Sequence, residues 1–306
     1  MAIFSKPIGW RMPDSLHEDL AALTAVAAHN NRRYRQLEAL TWPNAARIAV
    51  NLTVDFDAML LRRLNNEPAM ELAKGEFGGR VGIWRLLELF AAHGVKATIF
   101  TPGRICELYP EALKAAVANG HELADHMWEH RVPKQAELAR DHLCKTAAAL
   151  AEISGRRPVG SRSHYPAALL RQEGFLYNSH GARSHRPYYV LAETGEPTLL
   201  ELPFHFAIDD AMFFSFAWYA SANTEQRLSD TDRVFDMWWA AFLQQYRQGG
   251  YLNICLHPFV SGRALRIAML DRLIARMKTL PGVWFATCEE VARHCLDKHP
   301  ARRATA

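Results

Sequence analysis

The sequence predicts an α/β fold, a parallel sheet with helices outside, with a closed barrel favoured over an open sheet. Two observations lead there. From Arg47 onward, short apolar segments of strand length alternate with longer segments of helical period, seven or eight times. The polar residues able to do chemistry also gather at the carboxyl ends of those strands, where βα barrels keep their functional groups.

The elements follow in order. Ile48, Val50, Leu52 and Val54 alternate with Ala49, Asn51, Thr53 and Asp55, which makes residues 47–54 the first strand. A helix is expected over 83–93, with Ile83, Leu86, Leu87 and Phe90 on one face and Gly94 as its stop. Residues 97–101 form a strand ended by Pro102-Gly103, 110–119 a helix, and 122–125 a short strand. A long helix over 134–153 stops near Gly155 and Pro158, and a strand follows at 159–163. The second half repeats the pattern less cleanly. Helices are expected at 167–173, 232–248 and 264–279, and strands at 175–177, 198–202, 251–256 and 283–286. Thr287-Cys288-Glu289-Glu290 is a capping box that opens the last helix. The barrel therefore spans 47–298, with a short tail at 299–306. Residues 1–46 stand apart as a helical arm, mostly helix over 15–40, expected to pack on the barrel or on a neighbouring subunit.

Composition narrows the function. The 306 residues are 49% hydrophobic and 22% charged, ordinary for a globular chain with a sizeable core. No run of about 18 apolar residues is present, so no membrane span is expected. The first residues lack a signal-peptide pattern. Five cysteines at scattered spacings, without a Cys-x-x-Cys, suggest reduced thiols and a cytoplasmic location. The net charge of +4 is dispersed, which argues against a nucleic-acid partner.

The first strand ends in Asp55-Phe56-Asp57, whose carboxylates point the same way. The third ends in Asp125-His126-Met127-Trp128-Glu129-His130, the fourth passes through Arg162, and the penultimate one ends in Leu256-His257-Pro258. Histidines four apart also arise by chance among 14 histidines, and an Asp-x-Asp can simply cap a loop. Their joint placement at one barrel mouth favours chemistry. Two imidazoles and one carboxylate make a three-ligand site for Zn²⁺ or a similar divalent ion. The second carboxylate is then placed to take a proton from water, with His257 approaching across the mouth. Gly75, Gly78, Gly79 and Gly82 could cradle an anion before a helix, though a turn is the plainer reading. The run Phe213 to Tyr219 could wall a pocket or pack in the core.

These residues resemble a known family. Thr53 to Ala58, His126 to His130, Arg162 and Leu256-His257-Pro258 look like the successive motifs of the NodB-homology polysaccharide deacetylases. The segments 75–82, 97–103, 119–123, 187–190 and 257–263 resemble the branch holding a cytoplasmic-type peptidoglycan deacetylase, an allantoinase and cyclic imide hydrolases. The resemblance covers roughly residues 42–296 and implies a distorted seven-stranded (β/α) barrel that hydrolyses an amide-type bond. Asp55 is then the base, and Asp57, His126 and His130 are the metal ligands. His257 is the acid, Leu256 lines the pocket, Arg162 orients or neutralises Asp55, and Asp209 or Asp210 tunes its neighbours. The branch also implies a homo-oligomer. Three departures stand out: the proline usually two residues after Arg162 is missing, Met127 replaces a small or hydroxylated residue, and Arg131 stands where an acid is common.

The resulting expectation is a metal-dependent hydrolase of non-peptide C–N bonds acting on a small cyclic imide or ureide. Bulky side chains including Met127, Trp128, Phe204, Phe206, Phe213 and Phe259 could wall a closed pocket for such a ring. The alternatives are an N-acetyl-sugar or peptidoglycan deacetylase and, in another class, a non-catalytic barrel that binds a ligand or partner.

Overall fold

A computed structural model describes residues 33–214 and 229–301. The expected helix over 15–40 lies mostly outside these residues, as do residues 215–219 of the aromatic run and residues 302–306 of the tail.

Strand β2 (Ile48–Asp55) is the centre of the sheet, and all eight of its residues are buried. Ile48, Val50, Leu52 and Val54 pack into the main core beneath the helices, while Ala49, Asn51, Thr53 and Asp55 alternate with them on the barrel side. Both faces are covered, as a central parallel strand requires. Helix α1 (Leu60–Leu64) and helix α2 (Ala69–Phe77) follow. One π-helical turn (Gly78–Gly82) then leads into α3 (Ile83–His93), which Gly94 ends in the left-handed conformation. Next come β3 (Thr98–Thr101), α4 (Gly103–Leu108), α5 (Pro110–Ala118), β4 (Glu122–Asp125) and α6 (Ala136–Ser154). The chain continues through β5 (Gly160–Ser161), α7 (Ala167–Gln172), β6 (Tyr177–Asn178), β7 (Tyr188–Leu191) and β8 (Pro197–Glu201). It finishes with α8 (Asp210–Phe214), α9 (Thr231–Arg247), β9 (Tyr251–Leu256), α10 (Pro258–Ser261), α11 (Ala264–Lys278), β10 (Val283–Phe285) and α12 (Cys288–Lys298). The capping box at Thr287 is present.

Seven parallel strands, in the order β9-β2-β3-β4-β5-β6-β8, curl into a distorted barrel. Along one side β2 pairs β9, and along the other it pairs β10 at its start and β3 at its end. No ladder joins β8 to β9 among the described residues. The seam is held instead by an isolated Asp209–Cys255 bridge and by Asn253 Nδ2 donating to Ser179 Oγ at 3.1 Å.

Two expectations need correction. Residues 34–36 are not helical: β1 (Tyr34–Gln36) pairs antiparallel with β7, which itself runs antiparallel to β8. This short segment takes its conformation from its partner strand, a tertiary influence that local periodicity does not report. The glycines from Gly75 to Gly82 are neither a turn nor an anion cradle. They lie inside helix, where the missing side chain permits close packing. A Cβ on Gly82 would stand 2.0 Å from the Pro258 carbonyl oxygen, and one on Gly75 would stand 2.6 Å from that of Ala58.

Candidate active site

The mouth of the barrel is built from strand ends. Asp55 closes β2, and the backbone then turns, with Ala58 in the left-handed region at φ 47°, so that Asp57 also faces inward. His126 follows β4. The segment to His130 is no helix despite the i, i+4 spacing. Met127 (φ 66°) and His130 (φ 60°) are both left-handed, an unfavourable state for side chains of this size and one that clusters at functional sites. Asp125 stabilises the turn, since one of its oxygens accepts the Met127 N–H (3.1 Å) and the other the Ser161 hydroxyl (2.6 Å). The two imidazoles meet edge to face with ring centres 4.7 Å apart.

Asp57, His126 and His130 thus converge. Asp57 Oδ1 lies 3.4 Å from His126 Nε2 and 3.6 Å from His130 Nε2. His126 places its Nδ1 2.5 Å from the Arg162 carbonyl oxygen, which leaves Nε2 facing the site. Both oxygens of Asp57 and the Nε2 of His126 are buried without a hydrogen-bond partner. An ionised carboxylate left so would be costly. Burial pushes Asp57 up, but His130 and His126 outweigh it and hold its carboxyl well below the usual range. One carboxylate and two imidazoles, with inward-facing orphaned atoms, fit a divalent ion by donor chemistry and spacing.

Asp55 sits beside this group, its Oδ2 3.8 Å from His126 Nε2. Arg162 donates from Nη1 to Asp55 Oδ1 at 2.6 Å, and also contacts Thr53 and Ser179. Burial alone would raise the Asp55 carboxyl, but Arg162, His126 and His257 hold it below its ordinary value. Across the mouth, His257 points Nε2 toward Asp57 Oδ2 at 3.9 Å. Asp210 fixes it from behind, with Oδ1 2.7 Å from His257 Nδ1 and Oδ2 accepting its backbone N–H. Burial opposes charge on His257, yet Asp210, Asp209 and Asp55 prevail and raise it to about 10.

Asp55, His126, His130, Arg162, Asp209 and His257 line a cavity of about 220 Å³ together with Met127, His164, His180, Phe204, Phe206 and Met212. The structure therefore brings together Asp55, Asp57, His126, His130, Arg162 and His257. Of the residues expected to line the pocket, Met127 does so. Trp128 does not: it is buried away from the cavity against Gly103, with Lys145 Nζ 3.8 Å and Arg104 Cζ 5.1 Å from its ring. Leu256 is buried in the core and does not reach the cavity wall, and Asp210 lies behind His257. His164, His180 and Met212 were missed. They sit in loops or in a short helix, and no local pattern announces that they share a cavity.

Comparison with known proteins places this architecture. The polysaccharide deacetylase family model matches residues 77–178. A Helicobacter pylori peptidoglycan deacetylase is 29% identical, covering 85% of this chain and all of the relative. The solved Puue allantoinase is 27% identical with TM-score 0.75, covering 85% of this chain and 94% of that one. A solved Mycobacterium smegmatis protein, inferred to be a polysaccharide deacetylase, is 30% identical with TM-score 0.77, covering 89% of this chain and 99% of that one. Among the described residues no helix is long and apolar enough to cross a membrane. On the family match and the 30% identity to a solved relative covered almost end to end, the chain belongs to the polysaccharide deacetylase family of C–N hydrolases.

Proposed function

We propose that this protein is a metal-dependent hydrolase that opens a small cyclic imide or ureide, with Asp57, His126 and His130 as ligands. The observation that carries the metal site is the set of buried, unpartnered Asp57 and His126 atoms converging beside His130. When bound, a divalent ion, Zn²⁺ first among the candidates, supplies Lewis acidity toward water and the scissile carbonyl. Asp55, kept ionised by Arg162, accepts the proton of the attacking water. His257, kept protonated by Asp210, gives a proton to the departing nitrogen. Its Nδ1 is engaged by Asp210, so the inward Nε2 is the donor.

The small-ring substrate is supported by the cavity's modest volume and its walls of Met127, Phe204, Phe206 and Met212. The likeness to an allantoinase is compatible with it. The second reading, removal of an acetyl group from an amino sugar, has the Helicobacter pylori relative in its favour. A side-by-side assay at saturating Zn²⁺ decides between them. Turnover of succinimide or hydantoin is expected to exceed acetate release from N-acetylglucosamine oligomers. Acetate release with no imide turnover would reverse that order, and inactivity on both would favour a non-catalytic barrel.

A further inference from the structure

Two cavity-lining histidines take no part in the chemistry above. His164 follows β5 and His180 follows β6, and their rings meet at 64° with centres 3.9 Å apart. The backbone under His180 is fixed. Its N–H and that of Gly181 both donate to the buried Glu201 at 2.6 Å, and Arg162 Nε donates to the Ser179 carbonyl at 2.8 Å. The ring nitrogens of the pair have no protein hydrogen-bond partner among the described residues. Burial, His164 and Arg162 lower His180 to about 4, and burial and His126 lower His164 as well. Both rings are therefore neutral near pH 7, and each offers one N–H and one lone pair.

Such a pair matches a neutral amide edge, where a carbonyl stands beside an N–H. It offers no net positive charge to a carboxylate. A ring held at its scissile carbonyl by the metal group has its other amide edge only a few ångströms away, within the same 220 Å³. We propose that His164 and His180 are specificity-determining residues that hold the second, non-scissile amide edge of the ring substrate. The proposal rests on the imide or ureide reading given above.

The test uses full-length Zn²⁺-loaded protein with His164→Ala, His180→Ala and His180→Gln, and three measurements. These are succinimide kinetics, succinimide binding by calorimetry, and metal content. Each alanine variant is expected to raise KM and the dissociation constant for succinimide about tenfold, the scale of one lost hydrogen bond. Turnover number should change less than twofold and metal content not at all. Glutamine, which also offers a donor and an acceptor, should recover most of the affinity. Unchanged succinimide affinity in both alanine variants would overturn the pair's role while the parent still opens imides. Lost metal or a fall confined to turnover number would also overturn it, by showing a structural or chemical role instead. A parent that binds succinimide without opening it would overturn the activity, and the pair would then stand or fall on the same binding ratio. A parent that neither binds nor opens it overturns both.

Discussion

Asp57 and Glu122 are both buried carboxylates at strand ends of one barrel, 0% and 2% exposed, yet their surroundings are opposite. Glu122, at the amino end of β4, accepts hydrogen bonds from the Thr98 hydroxyl (2.7 Å), the Tyr177 hydroxyl (2.7 Å) and the Glu289 backbone N–H (2.9 Å). Asp57, just beyond the carboxyl end of β2, accepts none. Glu122 closes the floor of the barrel using groups the chain itself supplies. Asp57 has no such shell, in keeping with the metal role proposed for it. Burial by itself thus says little about role, and the state of the hydrogen-bonding shell says much.

Four predictions can break or sharpen that contrast. The largest effect is expected at the mouth. Asp57→Asn should abolish metal binding, measured by elemental analysis, and reduce turnover by about 10³-fold or more. Wild-type metal occupancy in this variant would remove Asp57 from the ligand set.

Next, Asp55→Asn should keep its metal and lose about 10²- to 10⁴-fold in turnover. A variant as active as the parent would show that another group takes the proton.

On the floor the signature should be inverted. Glu122→Leu leaves two hydroxyls and an N–H without their acceptor and should cost about 2–4 kcal/mol in urea unfolding, with metal content per folded chain unchanged. Parental stability would erase the distinction between the two carboxylates.

The smallest effect is in pH dependence. Burial, opposed by its three donors, raises Glu122 to about 7 from the ordinary glutamate value of 4.5. Between those values the folded state binds this proton more tightly than the unfolded chain. The contribution of Glu122 to stability is therefore full below pH 4.5 and declines as pH rises through 7, on the order of 3 kcal/mol in all. Glu122→Gln should remove that decline, so the stability gap between parent and variant should be wider in favour of the parent at pH 5 than at pH 7.5. A gap that widens with rising pH would mean the carboxyl is held ionised.

The sequence was legible where structure is local. Strands Glu122–Asp125 and Tyr251–Leu256 and helix Ile83–His93 begin and end where alternation, helical period and Gly94 place them. The residues that converge at the mouth were legible too, because each follows or sits near a strand end. What escaped depends on distant partners. Tyr34–Gln36 is a strand only through Tyr188–Tyr189–Val190, more than 150 positions away. The burial of Trp128 away from the cavity follows a left-handed Met127 that no propensity favours. His164 and His180 become neighbours only because β5 and β6 lie side by side.

The helix with the π turn touches both sides of the mouth. Gly75 lies against Ala58 and Met59, next to Asp57, while Gly78 and Gly82 lie against Phe259 and Pro258, next to His257. The extra residue in that turn sets the angular offset between the two contacts. Deleting it would restore ordinary helix and rotate everything before it by about 100°. Gly75 would swing away from the Asp57 turn while Gly82 stayed on the other loop. Asp57 and His257 are thus geared to a single shaft, and neither can drift in the course of descent without moving the other. Length changes between residues 75 and 82 should be far less admissible than substitutions that preserve the count.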